Sequence, residues 1–355
     1  MAEKKKKANK GSAKRALLIV AVVVLSLVLL ALIAVTVIIG GGLNKITRVD
    51  DIEVTMSQEE LDQILNQTEA EDVNFTGVVL EAEDVTLPEK PVELVDSGEN
   101  IIHVLLVGQD TYSKTSRSRT DSMILCTFNR ETKTLTMTSF MRDLYVTIPG
   151  YYNHRMNTAY VLGGFETLYD TLEYNFGVVV EHGVAVNFAS FTEVVDAVGG
   201  VEVELSAAEA RHLNGLNPEW SFVPGVNYMN GDQALQFSRI RKIDSDFNRT
   251  GRQRAVMMAL FEKAKTLSVI QLMELTDVLF PMVVTDMSNA DIINLAMELA
   301  PMLKDISVVT QRIPADGAYQ SVMIDGMAVL LPNLEANRQI LVDTIGDTTE
   351  SEEVE

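Results

Sequence analysis

Residues 16–39 read ALLIVAVVVLSLVLLALIAVTVII, a run without a charge in which only Ser26 and Thr36 are mildly polar. About 20 apolar residues in a helix cross the hydrocarbon core of a bilayer, so this run is long enough to span with some tilt. A cleavable signal has a shorter apolar stretch, about 7–15 residues, and a small-residue cleavage pattern. Here GGGLNK follows, with no A-x-A pattern. The run predicts one uncleaved transmembrane anchor. Seven basic residues stand against Glu3 in the preceding MAEKKKKANKGSAKR, and such a block stays cytoplasmic. The expectation is a single-pass protein of the cell membrane, with residues 1–15 as a cytoplasmic tail and everything beyond the anchor outside.

The tail contributes +6 to a formal charge of −21, so the remainder carries −27. A surface of that sign repels nucleic acid, and no nucleic-acid partner is expected. Cys126 is the sole cysteine, which excludes an intrachain disulfide. Within SMILCTF it reads as a small buried hydrophobe. Stability must come from a hydrophobic core, and roughly 250 residues after the first hundred suffice for one large domain.

Residues 44–99 are acidic and read as a stalk or a small accessory domain. TMSQEELDQILNQTEAEDV has Ser57 three residues before Glu60, a helix start, and FTGVVLEAEDVTL is strand-like. The main domain is placed at 100–345 and a disordered acidic tail at 346–355. NIIHVLLVGQD reads as a buried strand ending in a functional loop, and DSMILCTFN and TLTMTSFM, joined by RETK, as a hairpin. NTAYVLGGFETLYDTLEYNFG is helical in pattern despite Gly163 and Gly164. GVAVNF and VEVEL are strands around ASFTEVVDAVGG, a helix closed by glycine. NGDQALQFSRI and DFNRTGRQRAVMMALFEKAKTL are helices, the Met-rich part of the second being core. Strands interleaved with helices define an α/β layered fold with a mostly buried sheet.

The arginines are unevenly placed. Of fifteen, Arg117, Arg119 and Arg142 form one group and Arg239, Arg241, Arg249, Arg252 and Arg254 another. A charged run is commonly a solvated helix face. On a helix from about Phe247, however, Arg249, Arg252 and Gln253 share one side, at an N-terminus that favours anions. Arg239 and Arg241 share a side only on extended chain, so a common ligand requires the preceding helix to end near Arg239. Guanidinium suits bidentate contact with phosphate. Asp110 and Asp121, at adjacent strand ends, can converge on one hard cation, although spacing alone favours two unrelated loop aspartates. Together these features suggest a condensed phosphate ligand.

LLVGQD, RTDSMIL, SFMRDLYVTIPG, RMNTAYVLGG, VVDAVGGVEVEL, MNGDQALQFSRIR and DFNRTGRQR occur in the order seen in LytR-CpsA-Psr enzymes, which this chain resembles from about residue 100 to 265 and in its single anchor. The resemblance implies a three-layer α/β/α domain with a central mostly buried mixed sheet and an apolar tunnel for a lipid chain. It implies transfer of a glycopolymer (teichoic acid, capsular or other wall polysaccharide) from a polyprenyl-pyrophosphate carrier to peptidoglycan. Carried over by motif, Asp110 and Asp121 are metal ligands for Mg²⁺, with Mn²⁺ the alternative ion. Arg119, Arg142, Arg155, Arg239, Arg241, Arg249 and Gln253 are pyrophosphate-binding. Asp121, Arg119 and Asp143 are catalytic, the two aspartates being candidates to take the acceptor proton. Two departures are visible: Met141 stands where the family usually has proline, and Arg155 where lysine is common. Arg117, Arg252 and Arg254 fall outside these positions, and for each of them both a place in the ligand-facing group and a place on the surface stay open.

Two other readings remain open: a polyprenyl-pyrophosphate hydrolase with water as acceptor, and a non-catalytic membrane-tethered regulatory or binding protein. A tail of fifteen residues has no room for a DNA-binding fold, which opposes direct transcriptional control.

Overall fold

Nine nearly all-apolar residues from Ile101 to Gln109 have no polar face to turn to water, and in the computed structural model they form a strand buried on both sides. The structure describes residues 42–49, 57–66, 75–95, 98–109, 117–241, 243–244, 246–266, 281, 283–299, 302 and 305–345. The apolar run 16–39, Asp110 and the tail 346–355 lie outside the described residues. Among the described residues no helix is long and apolar enough to cross a membrane.

The chain divides into two compact units, Met1–Val49 with Val186–Thr310 and Asp50–Ala185 with Gln311–Glu355. In the second unit strand Ile101–Gln109 pairs antiparallel with Thr120–Asn129, which pairs antiparallel with Thr134–Phe140. RETK makes the turn of that hairpin: Asn129 Oδ1 accepts from the N–H groups of Glu131 and Thr132 at 2.9 and 3.0 Å, the Asx pattern that favours Asn at such corners. His182–Val186 flanks the sheet on one side and Ser307–Ile313 on the other, where Gln311 Nε2 donates to Thr138 Oγ1 at 2.9 Å. Cys126 lies buried in this sheet, and burial pushes its thiol pKa up.

Helix Ala159–Phe176 covers part of this unit and is not continuous. Gly164 has φ 72° and ψ −146°, a kink that joins two helical pieces. Gly177 then ends the helix in the left-handed region at φ 74°. A Cβ on Gly177 would stand 2.2 Å from the Glu93 carbonyl oxygen, so the segment before the main domain runs directly over this cap.

That segment is more than a spacer. Val78–Leu80 pairs in parallel with Tyr319–Ile324, which pairs antiparallel with Met327–Pro332. Leu80, Val85 and Leu87 pack on the buried cluster of Tyr145, Val322, Ile324 and Val329. The Val92 and Val95 N–H groups donate to the carbonyls of Tyr174 and Gly177 at 3.0 and 2.7 Å. Since every candidate site residue follows Gln109, the sequence alone makes residues 44–99 dispensable for the chemistry; these contacts give the segment a part in the fold. A chain starting at residue 98 loses partly buried aliphatics, each worth at most about 1.5 kcal/mol, and uncovers the edge of strand Tyr319–Ile324. Its melting temperature in a thermal scan is expected well below that of the full chain; equal values would show the segment to be a spacer after all.

In the first unit strand Val201–Leu205 alternates inward valine and leucine with outward glutamate and pairs antiparallel with Gly225–Met229. Helix Phe188–Ala197 starts on Asn187, whose side chain accepts from the Ser190 N–H at 2.9 Å, and is followed by Gly199 and Gly200 at positive φ. Capping boxes start Ala207–Leu216, through Ser206 and Glu209, and Gly231–Ser238, through Asn230 and Gln233. Helix Asp246–Thr266 packs on strand Val201–Leu205 and buries Val256, Met258 and Leu260, so the methionine-rich stretch is core as its composition suggests. Thr47–Arg48 pairs in parallel with Val284–Thr285.

Candidate functional site

Asp121 and Arg142 meet because a bulge and a turn fix their backbones. The register of the first strand pair shifts between Gly108 and Gln109, a bulge of the kind that re-aims a side chain at a strand end. Gln109 Oε1 accepts from the Ser118 N–H at 3.3 Å, which ties residues 118–121 to that end. At the end of Thr134–Phe140 the chain turns over Met141–Leu144, and its backbone groups are engaged one after another. The Met141 N–H donates to Ile313 O at 2.8 Å, Arg142 O accepts from the Asn157 N–H at 3.1 Å, and Asp143 O accepts from the Leu330 N–H at 2.8 Å. Proline has no N–H to give, so Met141 gains a bond here that proline cannot make, and its side chain is buried.

The side chains then form a row of charge. Arg142 Nη1 stands 3.4 Å from Asp121 Oδ1, Arg142 Nε 3.4 Å from Asp143 Oδ2, and Arg155 Nε 3.8 Å from Asp143 Oδ1. Arg142 and Arg155 are 4% and 1% exposed, while the side chains of Asp121 and Asp143 keep 15% and 12%. Arg155 also donates through Nε and Nη2 to the Ala328 carbonyl at 3.3 and 2.9 Å, so this departure from the family residue ties Asn153–Arg155 to Met327–Pro332 as well as facing Asp143. Arg119 is buried nearby. Burial first, then the charge of Arg155 and that of Arg119, lowers the His154 pKa to about 4. Among the described residues three buried guanidiniums, two carboxylates and a neutral imidazole come together here inside an acidic chain. Guanidiniums gathered in this way suit an anionic ligand.

The second arginine group belongs to the other unit. Helix Gly231–Ser238 ends with Arg239 as its C-cap, which puts Arg241 beyond the helix, as a shared ligand would require. The Arg239 guanidinium lies 4.4 Å from the centre of the Phe188 ring, a cation–π distance, and the residue is exposed, whereas Arg241 is half-buried. Arg249 is 1% exposed in the first turn of helix Asp246–Thr266. One turn on, Gln253 has a buried Oε1 without a hydrogen-bond partner among the described residues. Arg252 is no surface residue: it is 4% exposed and grips both oxygens of Asp244 at 2.7 Å. That engagement removes it from the ligand-facing set, which spacing alone could not do. His154 and the buried Asn157 were missed as neighbours of the arginines; the signal was present in RMNTAY, whose first residue was already a candidate.

Among the described residues no group of three or more His, Cys, Asp or Glu side chains could hold a metal ion. Mg²⁺ commonly needs only one or two protein carboxylates, with phosphate oxygens and water completing its octahedron. Asp121, at a strand end and partly exposed, fits that role; its expected companion Asp110 lies outside the described residues.

Burial makes a testable statement about pH. His103, buried in the sheet with its ring Nδ1 2.8 Å from Thr127 Oγ1, also has its pKa lowered to about 4 by burial. Both histidines titrate near 6.5 when unfolded, so the unfolded chain binds protons first as pH falls. Their contribution to stability is fully present above pH 6.5 and is lost between 6.5 and about 4. Glu181, whose carboxylate accepts from the His103 N–H and whose pKa is raised mainly by burial, acts in the opposite sense in the carboxylate range. Melting temperature is expected to be flat above neutrality and to fall below pH 6.5. A His103→Gln variant should fall less steeply; an identical profile would remove His103 from this account.

The fold and the site define an α/β protein with a central mixed sheet that gathers arginines and aspartates at strand and helix ends. The chain belongs to the LytR-CpsA-Psr family, whose model matches residues 61–342. This is wider than the stretch from 100 to 265 that carries the motifs, and it takes in the strand Val78–Leu80 and the C-terminal elements. It is 34% identical over 187 residues to the polyisoprenyl-teichoic acid–peptidoglycan teichoic acid transferase TagT of Bacillus subtilis, covering 51% of this chain and 58% of TagT. It is 30% identical over 253 residues to the regulatory protein MsrR of Staphylococcus aureus, covering 69% of this chain and 75% of MsrR. The solved structure of TagT bound to LIIa-WTA superposes with a TM-score of 0.57 at 27% identity, over 76% of this chain and 98% of that one. The match to TagT therefore spans less than two thirds of that relative's full length.

Proposed function

We propose that this chain is a phosphotransferase that moves a glycopolymer from a polyprenyl-pyrophosphate carrier onto a sugar hydroxyl of peptidoglycan, outside a membrane in which residues 16–39 anchor it. The observation that carries the reading is the row Asp121–Arg142–Asp143–Arg155, in which both arginines are buried, a built cluster of charge in a family whose member TagT is named as such a transferase. In this reading the acceptor oxygen bonds to the phosphorus next to the polymer, the phosphorus–oxygen bond of the bridge breaks, and lipid phosphate leaves with the electron pair. Phosphoryl transfer asks mainly for positioning and for neutralisation of charge. Arg119, Arg142 and Arg155 would bind the pyrophosphate oxygens, with Asp143 facing both Arg142 and Arg155; Arg239, Arg241, Arg249 and Gln253 are the pyrophosphate-binding positions that the motifs give in the other unit. Asp121 and Asp143 would be the candidates to take the acceptor's proton. Mg²⁺ held by Asp121 and Asp110 would supply further charge stabilisation on the phosphates.

The test uses full-length protein in detergent. Co-purified lipid is identified by mass spectrometry, and labelled polymer on its lipid carrier is incubated with peptidoglycan, with and without EDTA. Label attached to the wall material supports transfer, and label released as free polymer phosphate supports the hydrolase instead. No turnover by a folded protein supports the regulatory reading that the name of MsrR keeps in view.

A further inference from the structure

Inside helix Ala159–Phe176, Gly164 adopts φ 72° and ψ −146° and is buried. A left-handed residue of this kind in a helix breaks its hydrogen-bond ladder and demands glycine. A Cβ at this position would press closely on another side chain. The Cζ, Nε and Nη2 atoms of Arg117 lie 3.0, 3.1 and 3.1 Å from where a Cβ on Gly164 would stand. The helix is thus notched where a guanidinium lies against its backbone.

Arg117 is half-buried, and among the described residues no hydrogen bond or ion pair engages its guanidinium. A fork of five donors held partly out of water in a fixed place is costly without an acceptor. Two residues on in the sequence comes the buried Arg119, and four residues on comes Asp121. Arg119 is felt by His154, and Asp121 faces Arg142. The reading of Arg117 as a surface residue accounts neither for its seat on the kink nor for its place in this series.

We propose that Arg117 is a further phosphate-binding residue of the site and that Gly164 is the seat that positions it. The proposal rests on the phosphotransfer reading and deepens it: the ligand is an oxyanion of the substrate's pyrophosphate, met from the side of the helix notch. Arg117 would touch the substrate. Gly164 would act only through Arg117.

Titration calorimetry of the full chain in detergent with inorganic pyrophosphate and Mg²⁺ tests this. Arg117→Ala is expected to weaken binding about tenfold to a hundredfold, the usual effect of losing a charge-assisted hydrogen bond. Arg117→Lys keeps charge but not the fork and should recover only part of it. Gly164→Ala, which pushes the guanidinium aside, should weaken binding similarly. The double variant Arg117→Ala/Gly164→Ala should bind like Arg117→Ala, because two changes acting through one contact do not add. Thermal scans on the same samples separate binding from folding. If Arg117→Ala binds pyrophosphate like the parent while only its melting temperature falls, Arg117 is a plug in the helix and the proposal is overturned. If the double variant shows the product of the two single losses, the seat is overturned. A parent chain that binds no pyrophosphate overturns the phosphotransfer reading as well, whereas normal binding by Arg117→Ala with loss in Arg142→Ala overturns this inference alone.

Discussion

Replacing Arg252 with alanine is expected to cost the folded protein about 3 kcal/mol, near the lower end for breaking a buried ion pair. In a domain of this size that lowers the melting temperature by roughly 6–12 °C. The guanidinium holds both Asp244 oxygens at 2.7 Å and Glu209 Oε1 at 3.4 Å, and also donates to the Ile240 carbonyl. Its side chain is 4% exposed, against 15% for Glu209 and 26% for Asp244. Removing it leaves two carboxylates and a carbonyl facing the gap. The partial exposure of Asp244 is the reason for choosing the lower end. Glu209 is also half of the capping box of helix Ala207–Leu216, so three segments loosen together: that helix, the turn at Asp244 and the start of helix Asp246–Thr266. Arg252→Lys keeps one charge without the fork and should fall between the two. Arg211→Ala, an exposed change on the capped helix, should stay within about 0.5 kcal/mol of the parent. An Arg252→Ala melting curve that overlays the parent would return Arg252 to the ligand-facing group.

Arg252 also marks where the sequence stops being legible. Helical spacing places Arg249, Arg252 and Gln253 on one side, and the helix is there. Spacing cannot show that Asp244, in the turn just before that helix, takes Arg252 out of the set. The end of helix Gly231–Ser238 at Arg239 was legible, because GDQALQFS is followed by a pair of arginines that only extended chain can put to common use. The strands of ILCTF and VEVEL were legible from apolar runs and alternation. The strand Val78–Leu80 was visible only as a strand-like piece. Its partner Tyr319–Ile324 lies some 240 residues away, and nothing local announces a pairing at that separation. Gly164 was read as an interruption that the helix tolerates; that its kink receives Arg117 depends on a contact across 47 positions. Local chemistry wrote the elements and the arginine groups into the sequence, and long-range packing decided which arginines are struts.

The largest loss of activity is expected from Asp121. Its carboxylate sits at the start of strand Thr120–Asn129, 3.4 Å from Arg142 Nη1 and partly open to solvent. Two roles fit that position and predict different outcomes. If Asp121 only orients Arg142, Asp121→Asn still offers Arg142 an oxygen, and transfer should survive at a reduced rate. If its charge is used directly, as a ligand of Mg²⁺ or as proton acceptor, asparagine and alanine should fail alike. Removing one electrostatic stabiliser of a transition state commonly costs 10²–10³ in rate, and both variants are expected to lose at least about that much. The loss should fall on kcat and kcat/KM together, since the interaction strengthens as charge develops. Arg142→Lys offers the complementary case: it keeps a positive charge beside Asp121 and Asp143 but cannot bridge both, so about a tenfold to hundredfold loss is expected. Transfer of labelled polymer over a range of Mg²⁺ concentrations separates the roles. An Asp121→Asn protein with near-parental kcat and an unchanged Mg²⁺ dependence would leave Asp121 as no more than a prop for Arg142. A kcat that stays low at every Mg²⁺ concentration, in a protein that melts like the parent, would put the carboxylate's charge in the reaction itself.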